Sequence, residues 1–334
     1  MELIFKKIAQ LSASLVFVIL AATTIVLYLS AKPAIEEFGL KFLIEPRWGV
    51  QEKVEPPAIA EQSDLKQLEK SADIQTDDDF IKDEEDFMMD DEDDFIFDDD
   101  MESDSNRNKT IYGALVPIVG TVFSTLIAML FSIPLAIGIA VFLSEIAPSA
   151  LAKPVGVAIE LLASIPSIIY GMWGLFYFGP FIASLFGGNT VSLLVAGLVL
   201  GIMVIPFMAA LSRDAIATVP DMLKESAYAM GATKLEVIKD VVFPYAKTGI
   251  IGSIILSFGR ALGETMAVAF VIGGVYQFAE KVTDPTNSIP VVLANSFAES
   301  SGLSLSVLFY LALILFVLSF GVIAIAKFYF LRRK

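Results

Sequence analysis

Six stretches of this chain are apolar for about 20 residues or more, the length a helix needs to cross the hydrocarbon of a bilayer. They cover residues 11–30, 111–143, 155–185, 191–211, 248–275 and 303–330. The pattern predicts an all-α integral membrane protein with six transmembrane helices. The second and third stretches are long and contain Pro134 and Pro166. Neither leaves room for a polar turn, so each predicts one tilted or kinked helix and not two spans. The first stretch ends at Leu29-Ser30-Ala31, small residues that suit signal-peptide cleavage. It is longer than a usual signal h-region, and removing it would leave five spans, so it reads as a retained helix.

Basic residues set the orientation. Lys6 and Lys7 precede the first span, and Lys153 lies between the second and third. Arg213, Lys224, Lys234, Lys239 and Lys247 lie between the fourth and fifth, and Lys327, Arg332, Arg333 and Lys334 follow or close the sixth. With six crossings these positions share one side, which the positive-inside rule assigns to the cytoplasm. Both termini are therefore expected in the cytoplasm, with lipid around the spans and no nucleic-acid partner.

Charge changes the picture in one place. Residues 51–106 hold 23 of the 38 acidic residues and 4 of the 23 basic ones, a net −19 that leaves +4 on the rest of the chain. The low isoelectric point thus describes one extracytoplasmic insertion. So dense a charge predicts a solvated, disordered segment. The chain then divides into residues 1–50 (first helix and loop start), 51–106 (acidic insertion) and 107–334 (five-helix core), with a cytoplasmic loop at 219–247.

That loop is amphipathic. Pro220 and Asp221 suit a helix start. Leu223, Ala227 and Met230 recur at helical spacing and predict one apolar face. Gly231 suits a corner of positive φ. Thr233 and Glu236 form a capping box that opens a second helix, and Pro244 is expected to end it. Two short helices joined at a fixed corner make a knob for a soluble partner.

Two membrane segments carry polar groups. In 259–268, Arg260 and Glu264 stand four residues apart, which on a continuous helix gives one face shared with Ser253 and Ser257. A central Arg or Glu costs about 2.5–3.5 kcal/mol on insertion scales. Two readings stand: an ion pair that neutralises itself and fixes packing, or an anion path in which Arg260 meets the substrate. In 160–176, Glu160, Ser164 and Ser167 form a second polar stripe, where hydroxyls suit a small anion or simply bond their own backbone.

The absence of Cys and His removes disulfides, Cys/His zinc sites and His-based acid–base chemistry. No G-x-x-x-x-G-K-[ST] loop occurs, so no ATP site is expected in this chain.

Glu225-Ser226-Ala227, then Gly231, then Val241-Val242-Phe243-Pro244 resembles the coupling-loop signature of ABC importer permeases, EAA, three residues, G, nine residues, I-x-L-P. Ser, Val and Phe replace Ala, Ile and Leu. Together with IELLASIPSIIYGMWGLF and GRALGETMAV, the chain resembles the PstC-type permease subunits of bacterial phosphate ABC importers, from Ile111 to its end and in the first span. The resemblance implies a type I, MetI-like fold in the bacterial inner membrane, and no catalytic site. It implies a PstA-type second permease, two PstB-type ATP-binding subunits that use the ATP, and an extracytoplasmic PstS-type phosphate-binding protein. It places Arg260 and Glu264 at the family's transport-critical positions, and Glu225, Ser226, Ala227, Gly231 and Pro244 in ATPase coupling. The sister PstA-type subunit, or a permease for sulfate or molybdate, stays open. An autonomous secondary transporter is the alternative of another class, against which the coupling loop argues.

Overall fold

A computed structural model describes residues 2–53 and 108–331. The expectation of disorder in the acidic insertion therefore falls, over 54–107, outside the described residues. The chain forms two units, Met1–Trp48 with Tyr112–Lys334, and Gly49–Ile111. In the smaller unit β1 (Val50–Lys53) pairs antiparallel with β2 (Asn108–Ile111), with Val50 opposite Ile111 and Lys53 opposite Asn108.

The larger unit is helical. Its elements are α1 (Glu2–Phe38), α2 (Leu115–Val141), α3 (Ser149–Ala163), α4 (Ser167–Trp173), α5 (Gly179–Phe186), α6 (Leu193–Ala217) and α7 (Asp221–Ala229). They continue with α8 (Lys234–Glu236), α9 (Phe243–Leu262), α10 (Met266–Ala269), α11 (Ile289–Ser296) and α12 (Gly302–Leu331). Among the described residues, six helical stretches are long and apolar enough to cross a membrane: Phe5–Leu43, Leu115–Ile146, Ser167–Phe186, Leu193–Ala217, Lys234–Leu262 and Gly302–Phe328. Alternation of the six helical stretches puts the start of α1, the end of α12 and the 219–247 loop at one end of the bundle, the elbow end.

The core is α6 against α2 and α9. Val195, Val199, Leu200, Met203, Val204 and Met208 of α6 are buried with Ala128, Met129 and Ala136 of α2. Small residues allow the approach. A Cβ on Gly201 would stand 3.1 Å from the Ala128 carbonyl oxygen, and one on Gly197 2.6 Å from the Ile127 side chain. α1 runs unbroken past Ser30 and packs on α12, where Ala31, Ala34 and Phe42 are buried with Val307, Leu308 and Leu311. The Phe42 and Tyr310 rings stack at 4.7 Å. The rest of α1 exposes Leu11, Leu15 and Phe17, as a lipid-facing helix does.

Two long runs differ from the sequence expectation. Residues 155–185 are not one kinked helix. α3 ends at Ala163, and α4 starts only at Ser167, after Pro166. Proline lacks an N–H and drives the preceding residue, Ile165, out of helical geometry. The Tyr170 hydroxyl donates to the Leu162 carbonyl at 3.0 Å, satisfying one of the carbonyls freed at the end of α3. α3 thus stays at the elbow end, and the span begins at Ser167. Residues 248–275 also break. α9 stops at Leu262, Gly263 to Thr265 are non-helical, and α10 comes next. Pro134, by contrast, leaves α2 continuous to Val141.

Candidate coupling elbow and translocation site

The loop at 219–247 is a sharp elbow. α7 opens after Pro220, with Asp221 in its first turn. It closes in a Schellman arrangement: Ala232 N–H donates to the Ala227 carbonyl at 3.1 Å and Gly231 N–H to that of Tyr228 at 2.9 Å. Gly231 holds φ +90°, which L side chains rarely adopt. Thr233 N–H and Oγ1 both donate to Glu236 Oε2, at 2.7 and 2.8 Å, completing the capping box of α8.

Two expectations about the elbow are corrected. The expected apolar face is not packed within the chain: Ala227 is buried, whereas Leu223 and, just past α7, Met230 are exposed, as are Met222 and Tyr228. Pro244 does not end the second helix. α8 passes through a π turn at Val237–Val242 directly into α9, and Pro244 sits in the first turn of α9. There a missing N–H is tolerated beside the wider π turn. Glu225 and Ser226 are exposed, and Ser226 Oγ donates to the Met222 carbonyl at 2.7 Å. Ala227, Val237 and Val242 pack with Ala140, Ile216 and Ala246.

A Cβ on Gly231 would meet no atom within 4 Å, so only its backbone conformation resists substitution. Gly231→Val should leave the chain inserted and shift the corner, because a β-branched residue at φ +90° costs on the order of 1–3 kcal/mol. The expected result is normal membrane level with reduced ATP-driven uptake, measured in the assembled transporter. Normal uptake would show that the corner is not needed.

In the membrane, Ser253 and Ser257 of α9 are buried. Ser253 Oγ lies 2.6 Å from Ser212 Oγ of α6, while Ser257 Oγ has no partner among the described residues. Arg260 instead points outward from the chain. Its guanidinium carbon lies 5.2 Å from the centre of the Phe207 ring, a cation–π contact. Phe207 sits about 21 Å along α6 from Leu193 and about 15 Å from Ala217, so Arg260 lies at mid-depth.

Arg260 and Glu264 do not share a helix face. α9 ends between them, and no ion pair joins them among the described residues. Glu264 Oε1 accepts from Ala267 N–H at 3.4 Å, at the start of α10. Non-helical backbone at membrane depth is tolerated only against protein or a water-lined path. Part of that cover is α4: a Cβ on Gly171 would stand 2.9 Å from both the Ala267 carbonyl oxygen and the Phe270 ring. Ser167 starts the helix that Gly171 brings to this break.

Glu160 and Ser164 lie elsewhere. Glu160 Oε1 accepts from Arg213 Nη2 at 2.8 Å, and Arg213 also contacts Asp214 Oδ1 at 3.0 Å. Arg213 stands about 9 Å nearer the elbow end than Phe207. Ser164 Oγ donates to the Leu161 carbonyl at 2.7 Å, closing α3. The expected stripe is therefore divided by the 164–166 break. The sequence reading missed Phe207, Gly171 and Glu145. Glu145 accepts from Lys224 Nζ of α7 at 2.7 Å.

Six spans, a Gly-cornered elbow between the fourth and fifth, and an ionisable break at mid-depth define a permease of the ABC-importer type. Solved structures carry the same fold. An inward-facing methionine ABC transporter MetNI matches with TM-score 0.53 at 19% identity, over 63% of this chain and 91% of that one. A bacterial alginate ABC importer matches with TM-score 0.51 at 15% identity, over 65% and 79%. The family model described as "Binding-protein-dependent transport system inner membrane component" matches residues 110–334, and the chain belongs to this family. The phosphate transport system permease protein PstC of Haemophilus influenzae is 37% identical over 98% of this chain and 92% of its own length. PstC of Pasteurella multocida is 47% identical over 69% and 78%.

Proposed function

We propose that this chain is the PstC-type permease half of an ATP-driven phosphate importer. The observation that carries it is the near full-length match to the phosphate permease of Haemophilus influenzae. The chain supplies one side of the path, with Arg260 as the anion contact and the Gly263–Thr265 break beside it. A PstA-type permease covers the outward-facing Arg260 and completes the path. Two PstB-type subunits hydrolyse ATP outside this chain and grip the elbow through exposed Met222, Tyr228, Met230 and Leu235. A PstS-type protein delivers phosphate on the other side. Lys6, Lys7, Lys153 and Lys224 gather at the elbow end and support its cytoplasmic placement, with both termini.

Growth on limiting phosphate tests the reading. A strain lacking its own permease of this type, supplied with this chain and its partner subunits, should recover growth. Recovery on limiting sulfate or molybdate instead would reassign the substrate. The acidic insertion should be dispensable. Replacing 54–107 by a short Gly/Ser linker, with both strands kept, should hold uptake within about twofold, because its charge is screened over about 8 Å. Complete loss in a correctly inserted variant would assign the insertion a docking or gating task.

A further inference from the structure

α7 has few holds on the bundle within the chain, whereas the π turn after the corner packs Val237 and Val242 against Ala140 and Ile216. Of the nine residues of α7, only Ala227 is buried. Lys224, three residues earlier, faces the same way, and its ammonium reaches Glu145 Oε1 at 2.7 Å. The Glu145 side chain is 8% exposed and that of Lys224 17%, so water screens this pair little. Asp221 Oδ1 lies 3.8 Å from the same ammonium but is 87% exposed. Glu145 belongs to a π turn at the end of α2, Phe142–Ile146, closed by Ala147 N–H to the Phe142 carbonyl at 2.7 Å. A π turn inserts the equivalent of one residue, which rotates the residues after it by about 100°. Here it presents Glu145 to the elbow. α2 itself runs the depth of the membrane against α6, the helix that carries Phe207 beside Arg260.

We propose that the Lys224–Glu145 pair is the strut through which the elbow drives α2, a positioning pair for coupled transport. The proposal rests on the importer reading. An apolar contact at Ala227 can slide, whereas a part-buried ion pair holds one partner at one place, because either charge left alone is costly. The elbow and the elbow end of α2 therefore move as one piece when the ATPases pull on α7.

The chain has no cysteine, so spin labels can be placed without background. Labels at Ala229→Cys on the elbow and Leu130→Cys on α2, both exposed, report the distance between the two pieces. In the assembled transporter that distance should be narrow, and equal in the resting and vanadate-trapped states. With Glu145→Gln it should broaden or shift on trapping, and ATP consumed per phosphate moved should rise about tenfold. Glu145→Gln combined with Lys224→Met removes both charges. It should recover thermal stability and leave coupling poor. An unchanged distance and coupling ratio in Glu145→Gln, or full recovery of coupling in the double variant, would overturn the strut. A transporter that moves no phosphate but shows these distance changes would sink the substrate assignment and keep the strut.

Discussion

Arg260→Ala should lower ATP-driven phosphate uptake by about 10- to 100-fold, the loss matching one charge-assisted contact of about 1.5–3 kcal/mol. Arg260 lies at mid-depth on the outer surface of the chain, its guanidinium over the Phe207 ring. Left against hydrocarbon it would cost about 2.5–3.5 kcal/mol on insertion scales, so that surface calls for protein or water in the assembly. A guanidinium offers two parallel donors that match two oxygens of a phosphate, and an ammonium does not. Arg260→Lys should therefore impair uptake less than Arg260→Ala but clearly. The broken helix at Gly263 sharpens the comparison with a packing role. A self-neutralising pair predicts that Arg260→Gln with Glu264→Gln restores activity. With Glu264 turned to Ala267 N–H and no ion pair to remove, the double variant should stay as impaired as Arg260→Gln alone. Uptake normalised to membrane protein level checks this, and near-normal uptake in the double variant would make Arg260 a structural residue.

Gly171→Val should be nearly as damaging without touching a charge. A Cβ there would stand 2.9 Å from the Ala267 carbonyl oxygen and from the Phe270 ring, and 3.0 Å from Ala267 Cα. The carbonyl is backbone and cannot rotate aside, so α10 must move away from α4. Overpacking of this kind costs about 1–3 kcal/mol. The displacement falls on Ala267, whose N–H holds Glu264, and so on the break beside Arg260. The expected result is about a tenfold loss of uptake, since one pKa unit of energy, about 1.4 kcal/mol, is a factor of ten. Gly171→Ala should lose less, because the methyl alone meets those atoms. Wild-type uptake by Gly171→Val would mean that the α4–α10 contact does not position the path.

Much of this architecture is readable from spacing. Four of the six spans come directly from apolar runs, whose length and apolarity carry the helix through Pro134 and Pro206. The elbow is readable because its signals are local: Gly231 needs positive φ, and Thr233 and Glu236 satisfy each other within one turn. The breaks are not readable. Pro134 and Pro166 look alike in sequence, yet α2 runs through one and α3 ends before the other. Tertiary structure separates them: Tyr170 is available to the carbonyl freed at Leu162. At Gly263 the four-residue spacing of Arg260 and Glu264 reads as one continuous helix, and the non-helical backbone there is tolerated against cover that comes in part from α4. The placement of Glu160 also escapes the sequence, because its partner Arg213 is 53 residues away. Glu145 and Lys224 are 79 apart. Pattern reading sees neighbours within a few turns and not pairs that meet across the bundle.

The central claim is that this chain forms half of an ATP-driven path for phosphate. The most direct measurement is uptake of radiolabelled phosphate into proteoliposomes holding this chain, the second permease and the ATPase subunits. ATP is supplied on the elbow side and the loaded binding protein on the other. Phosphate should accumulate only when all components and hydrolysable ATP are present, and sulfate should not compete. Uptake by this chain alone without the ATPase, or accumulation of sulfate in place of phosphate, would contradict the account.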